Sequence, residues 1–386
     1  MDTTSVLIAP DSFKGSATSR EVGEYLEQGV RRVLPDARVK RLAIADGGEG
    51  TLDAIISARG GETLEVEVTG PIGEKVNARY GMFDGHVAVI EMAEASGITL
   101  IEQNSANALR ASTFGVGEAI MDAICHGADR VLIGLGGSAT SDGGVGMAKA
   151  LGVRFLDVAG QDIPCGLEGL SRLAAIDCSQ LAPEVKDVEF VALTDVTNPL
   201  TGPEGAVFVY GAQKGIVAGE MDELDTWMKR YASLAARAVG RDLSGEPGTG
   251  AAGGLGFALA AFCGARIERG IEFVLDTIRL EEELDGVDLV ITGEGRMDAQ
   301  SAFGKAPVGV ARRAAARGIP VVAVVGSRAD DLGDVYKNGI GLVVPCATGA
   351  LTLEECMSGV GRLVPIAGES AVRAYLLGAR GSRDSR

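Results

Sequence analysis

The chain has 386 residues, a net charge of −17 from 36 basic and 53 acidic side chains, and 56 glycines, about 15% of the sequence and roughly twice the usual share. With 46% apolar and 23% charged residues it can bury a core, and no uncharged apolar run reaches the roughly 18 residues of a membrane span, so a soluble globular protein of two domains is expected. The acidic balance excludes a general nucleic-acid or membrane-surface binder, because both partners are polyanions; an anionic ligand needs cations gathered locally.

Six cysteines, at 125, 165, 178, 263, 346 and 356, form no Cys-x-x-Cys pair, and MDTTSVLIAPDS has no basic region followed by an apolar one. A cytoplasmic protein with reduced thiols is expected. With only His86 and His126, a Ser-His triad or a His-rich metal centre lacks its parts, so the general base is expected to be a carboxylate or a lysine. His126 precedes Gly127 where a helix should end and reads as structural; His86 follows the Asp84-Gly85 turn signal and reads as a surface residue.

In chain order, Val6–Pro10 reads as a strand leading into Asp11-Ser12-Phe13-Lys14-Gly15-Ser16 and a helix from about Ser19 to Leu34. Thr18 with Glu21 three residues on forms a capping box, and Val22, Tyr25, Leu26, Val30 and Val33 make one apolar stripe. Similar units open into Asp46-Gly47-Gly48-Glu49, into the glycine-rich loop 134–144, into Asp195-Val196-Thr197-Asn198 and, after a strand at 288–292, into Gly293-Glu294-Gly295-Arg296-Met297-Asp298. This is the grammar of a parallel sheet. Residues 63–92 alternate instead and carry the turns Gly70-Pro71 and Asp84-Gly85, as antiparallel hairpins do. Helix Met221–Leu243 and strands near 320–325 and 342–346 follow, and the tail 379–386 is expected to fray. The expected fold is two unlike α/β domains. One is Rossmann-like, mainly parallel and discontinuous (1–62 and 286–386); the other is inserted (63–285) and holds the hairpins.

Ligands of open α/β sheets bind beyond the carboxyl ends of the strands, where this chain carries Lys14, Asp46, Glu49, Ser138, Asp142, Asp195, Asn198, Glu294, Arg296 and Asp298. The loops 134–144 and 246–256, with Gly136, Gly137, Gly253 and Gly254, would let backbone amides approach a phosphate. No P-loop is present, since Gly304-Lys305 is followed by Ala306. Gly134-Leu-Gly136-Gly-Ser-Ala139 with Asp157 also matches a dinucleotide fingerprint, which would make the chain a nicotinamide-dependent hydroxy-acid oxidoreductase. That reading leaves the other acidic loops and Lys14, Lys214 and Lys305 unexplained, whereas phosphoryl transfer needs both carboxylates and cations. A non-catalytic solute-binding protein is a third reading.

IAPDSFKGS (8–16), IADGGEGT (44–51), GLGGSATSDGGVGMAKALG (134–152), DVTNPLTGPEGA (195–206), GAQKG (211–215), GTGAAGGLGFAL (248–259) and LVITGEGRMDAQSAFGKAPVGVA (289–311) together resemble the glycerate kinase type 1 family of bacteria over nearly the whole chain. Ser141 and Ser301 stand where that family leads us to expect Asn and Thr. The resemblance implies ATP- and Mg²⁺-dependent phosphorylation of D-glycerate, mainly at the 2-hydroxyl with the 3-hydroxyl as alternative, in a cleft between the two domains, by a monomer or homodimer.

On that basis Arg296 is expected to take the glycerate carboxylate, since a guanidinium offers two parallel hydrogen bonds. Asn198, Ser138 and Lys305 join it as substrate-binding candidates. Lys14 would meet ATP or the moving phosphate, and Lys214, Gly136, Gly137, Gly253 and Gly254 the nucleotide. Glu294 and Asp298, or Asp46 and Glu49, would hold the metal. Asp195 is expected to orient or deprotonate the acceptor hydroxyl, with Asp142 and Lys14 as further catalytic candidates.

Overall fold

The computed structural model describes residues 3–383. Its strands are β1 (Ser5–Pro10), β2 (Arg38–Arg41), β3 (Glu62–Thr69), β4 (Lys75–Phe83), β5 (Val87–Glu91), β6 (Arg130–Gly134), β7 (Arg154–Leu156), β8 (Ala175–Asp177), β9 (Glu189–Leu193), β10 (Arg266–Glu268), β11 (Leu289–Met297), β12 (Val321–Arg328) and β13 (Leu342–Pro345). They fall into two compact units. One comprises residues up to Asp46, Asp53–Ala58 and Ile271 onward; the other comprises Gly47–Leu52 and Arg59–Gly270.

The first unit is built on a wholly parallel sheet of order β13-β12-β11-β1-β2. The helix Ser19–Val33 begins at the Thr18–Glu21 capping box, as its sequence requires, and buries Val22, Leu26 and Val30. These pack with Val6, Ile8, Leu289, Ile291, Val322 and Val324 of the sheet and with Leu363, Val364 and Val372 of the C-terminal helix. Each such side chain contributes about 1.5–3 kcal/mol by leaving water. The chain winds from β1 to β2 in one direction and from β11 through β12 to β13 in the other. The order therefore reverses between β1 and β11, where a crevice opens at the carboxyl ends of the strands.

The second unit has a six-stranded sheet of order β10-β9-β6-β5-β4-β3. Pairings β10/β9, β9/β6 and β6/β5 are parallel, whereas β5/β4 and β4/β3 are antiparallel, as the alternating pattern predicted. Asp84 and Gly85 both take positive φ (51° and 80°) at the β4–β5 turn.

Three expectations change. The unit boundary lies at Gly270/Ile271 rather than 285/286, because the helix Gly270–Thr277 is tied to the helix Ala306–Ala316: Gly309 packs on Ile271, and Arg313 bonds Glu272 and Asp276. The strand expected to end at 292 continues to Met297, paired with β12, so Glu294 and Arg296 are strand residues rather than loop residues. The tail expected to fray from 379 is helical to Arg383, within the helix Val360–Arg383; residues 384–386 lie outside the described residues.

Candidate active site

At the carboxyl ends of β1, β11, β12 and β13 the first unit holds a cavity of about 660 Å³, lined by Asp11, Ser12, Lys14, Asp46, Glu294, Arg296, Lys305 and Ser327 among its polar residues. The fold explains the gathering. The Ser19 hydroxyl donates to Pro10 O at 2.7 Å and accepts from Ile44 N at 3.0 Å, fastening the exit of β1 beside the segment that carries Asp46. Thr292 Oγ1 donates to Ala9 O (2.7 Å) and Asp11 N to Gly293 O (2.8 Å), which locks β1 to β11 where both deliver their acids.

Of the residues chosen from the sequence, this cavity brings together Lys14, Arg296, Lys305, Glu294 and Asp46. Lys305 Nζ lies 3.1 Å from Glu294 Oε2, while Glu294 Oε1 is buried without a hydrogen-bond partner among the described residues. Burial raises the Glu294 carboxyl above its usual range, with Lys305 opposing that rise. Arg296 is 72% exposed and stands 3.9 Å from Asp298, so its guanidinium remains available. Lys14 is exposed on the loop after β1.

Asp11 was not among the chosen residues. It is buried, accepts from Ser12 N at 2.7 Å, and is pushed up to about 7 by burial, with Asp46 and Glu294 adding repulsion and Ser12 and Lys14 opposing it. An Asp after Pro10 reads as a turn former in sequence; its position at a strand's carboxyl end was the signal that could have found it. Three carboxyls share this cavity, one with an orphaned oxygen, an arrangement that a hard cation relieves. Among the described residues no three His, Cys, Asp or Glu side chains form a closed metal site.

Asp298 does something else with its carboxylate. It caps the turn Ala299–Phe303, accepting from Gln300 N at 3.0 Å while Ser301 Oγ accepts from Asp298 N at 3.2 Å. One of its two carboxylate oxygens is thus engaged in a local cap.

The remaining candidates lie in the second unit, where Glu49 is exposed and Ser138 is buried. Asp142 is wholly buried and accepts from Thr113 N (2.9 Å), Thr113 Oγ1 (2.9 Å), Gly146 N (3.0 Å) and Gly144 N (3.1 Å). Burial raises its pKa against these four donors. With both oxygens occupied it fixes the loop 138–146, so the catalytic expectation for Asp142 is replaced by a structural one. Lys214 is likewise buried; its Nζ donates to Thr140 O at 2.5 Å, and burial pushes it down to about 7 while Asp142 pulls it back. It braces the same loop from beneath and is not presented to a nucleotide.

The glycines follow suit. A Cβ on Gly253, at φ 65°, would come within 2.0 Å of Thr140 O, and Gly254 is buried beside Gly143. The loop 246–256 is therefore packed on the loop 134–144, and these two glycines serve backbone contact rather than phosphate binding. Gly136 packs on Gly48, and Gly137 is exposed. The Asn198 amide is occupied by Glu204 O (2.7 Å) and by the Tyr210 hydroxyl (2.6 Å), which shapes the 198–210 segment instead of leaving it for substrate. Asp195 follows β9 by two residues with its side chain 19% exposed, and Arg269 Nε stands 4.0 Å from Oδ1, a cation distant in sequence.

The dinucleotide reading is overturned. β7 pairs with β8 in a separate two-stranded antiparallel ribbon, and Asp157 spends its carboxylate on Ala159 N and Gln161 N, at 2.8 and 3.0 Å, so it ends no βαβ unit.

No helix is long and apolar enough to cross a membrane among the described residues, and the six cysteines are free thiols. Comparison with known proteins gives the family. Glycerate kinase from Bacillus subtilis (strain 168) is 45% identical over 351 residues, covering 91% of this chain and 92% of that one. Glycerate 2-kinase from Escherichia coli (strain K12) is 45% identical over 355 residues, covering 92% and 93%. A crystal structure assigned to glycerate kinase 2 of Salmonella typhimurium LT2 superposes with a TM-score of 0.84 at 42% identity, covering 98% of this chain and all of that one. The model of the glycerate kinase family matches residues 6–376, and the chain belongs to that family.

Proposed function

We propose that this protein transfers the terminal phosphoryl group of ATP to the 2-hydroxyl of D-glycerate, giving 2-phosphoglycerate and ADP. The observation that carries the reading is the single cavity at the β1/β11 switch point in which Lys14, Arg296 and Lys305 face Asp11, Asp46 and Glu294. Phosphoryl transfer is mostly positioning and charge neutralisation, and these are the groups it requires. The choice of hydroxyl follows the name of the E. coli relative.

The acceptor oxygen attacks the γ-phosphorus, the bond to the β,γ-bridging oxygen breaks, and ADP leaves with that electron pair. Lys14 and Lys305 neutralise the phosphate oxygens, and Arg296 holds the glycerate carboxylate in a two-pronged contact. Asp195 orients the acceptor hydroxyl and takes its proton. Asp11, Asp46 and Glu294 would hold Mg²⁺, through carboxylate oxygens or bound water, and the ion would offset charge on the phosphates. The orphaned Glu294 Oε1 and the raised Asp11 carboxyl fit such an ion. The reading places the enzyme in the cytoplasm, where ATP is available, as a monomer or homodimer.

An assay coupled to ADP release over a panel of small hydroxy acids tests this. Glycerate-dependent ADP release is expected; glycerate binding without ADP release would overturn it.

A further inference from the structure

The first-unit cavity has two chemically distinct sets of lining residues. Besides its charged residues the cavity has an apolar lining contributed by Leu351, Leu353, Met357 and Val360, none of them among the buried core of this unit. Neither a three-carbon acid nor a phosphate has any use for such a wall. Glycerate fills a small fraction of about 660 Å³, whereas pockets of about 300–1,000 Å³ suit ligands of nucleotide size. Leu353 opens the helix Leu353–Ser358 and is 76% exposed, an apolar side chain left in water beside a cavity. The two sets meet: a Cβ on Gly15 would lie 3.0 Å from the terminal methyl of Met357, so this thioether rests directly on the loop that carries Lys14.

We propose that the apolar lining is the purine-base subsite of the nucleotide. The base lies against Leu351, Leu353, Met357 and Val360, and the polyphosphate runs over the Lys14–Gly15 loop toward Lys14 and Lys305. A flat heteroaromatic ring is the group whose faces need apolar cover, and a flexible Met adapts to it. Charge complementarity with the charged residues fixes which way the ligand points. The assignment rests on the phosphoryl-transfer reading and adds to it which wall of the cavity holds the base.

Cys356 lines this cavity, half-buried and free, while Cys125 is exposed elsewhere and serves as an internal reference. The full-length protein is alkylated with N-ethylmaleimide, with and without saturating ADP, and each cysteine is followed by peptide mass spectrometry. ADP is expected to slow labelling of Cys356 at least fivefold and to leave Cys125 unchanged; pyrophosphate, which has no base, is expected to protect far less. In parallel, calorimetry on Leu353→Ser/Met357→Ser, whose sites are not in the deep core, should show ADP binding weakened at least tenfold and pyrophosphate binding within twofold of the unaltered protein. Unprotected Cys356 together with unchanged ADP affinity in the variant would put the base elsewhere and leave the kinase reading intact. No ADP binding by the unaltered protein would overturn both.

Discussion

Lys305 Nζ sits 3.1 Å from Glu294 Oε2, one residue before the helix Ala306–Ala316 and opposite a carboxylate on the last turn-free stretch of β11. The contact half-satisfies a buried acid whose other oxygen has no partner among the described residues. Lys305 steadies Glu294 and, in the proposed reaction, adds positive charge where phosphate would lie. Lys305→Met is expected to remain folded by circular dichroism and to lose about 10²–10³ in kcat, the usual loss when one charge-stabilising donor is removed. Turnover within threefold of the unaltered protein would place Lys305 outside the site.

Arg296, exposed at the end of the same strand, is the residue proposed to hold the glycerate carboxylate. Arg296→Ala should raise the KM for glycerate at least tenfold and move the KM for ATP less than threefold, because the lost contact is with one substrate only. Steady-state kinetics with each substrate varied in turn decides this; the opposite pattern would assign Arg296 to the nucleotide.

Asp195 carries a cation neighbour, Arg269, that its own segment does not announce. Asp195→Asn keeps the shape and removes the proposed base, so kcat should fall by about 10²–10⁴ with the fold unchanged. Arg269→Gln, which leaves the carboxylate, should cost less than tenfold. If Arg269→Gln costs as much as Asp195→Asn, the pair is structural and the base is another group.

Lys214 makes a pH prediction. Burial lowers its pKa to about 7 from an ordinary value of 10.5, so between those pH values the unfolded chain binds the proton and the folded chain does not. Stability from this group therefore rises with pH across that window, and the cost of burying the ammonium is fully felt below it. Lys214→Met should abolish this contribution. Urea unfolding at pH 7, 8 and 9 should show the stability of the unaltered protein gaining on that of the variant as pH rises. A constant difference would mean that Lys214 titrates near its ordinary value when folded.

The sequence made the local features legible. The Thr18–Glu21 capping box, the apolar stripe behind it and the hairpin turn at Asp84-Gly85 each act through near neighbours, and each stands where the pattern placed it. What depended on distant partners was read differently. Gly293 and Gly295 suggested a loop, yet β12 pairs with this stretch and carries the strand on to Met297. Asp142 beyond a strand end suggested a catalytic acid, yet two of its four donors come from Thr113, far back in the chain. Asp11 is significant only because folding sets Asp46 and Glu294 near it. Residue type pointed to phosphoryl chemistry; burial and long-range pairing separate the cavity-lining groups, Lys14, Arg296, Lys305, Glu294 and Asp46, from loop-fixing ones such as Asp142, Lys214 and Gly253.

The most direct test of the account is phosphorus NMR of a reaction containing the protein, ATP, Mg²⁺ and D-glycerate. A new phosphomonoester resonance matching 2-phosphoglycerate, growing in step with ADP, is the predicted result. A product matching 3-phosphoglycerate, or ATP that remains unchanged beside glycerate, would contradict it.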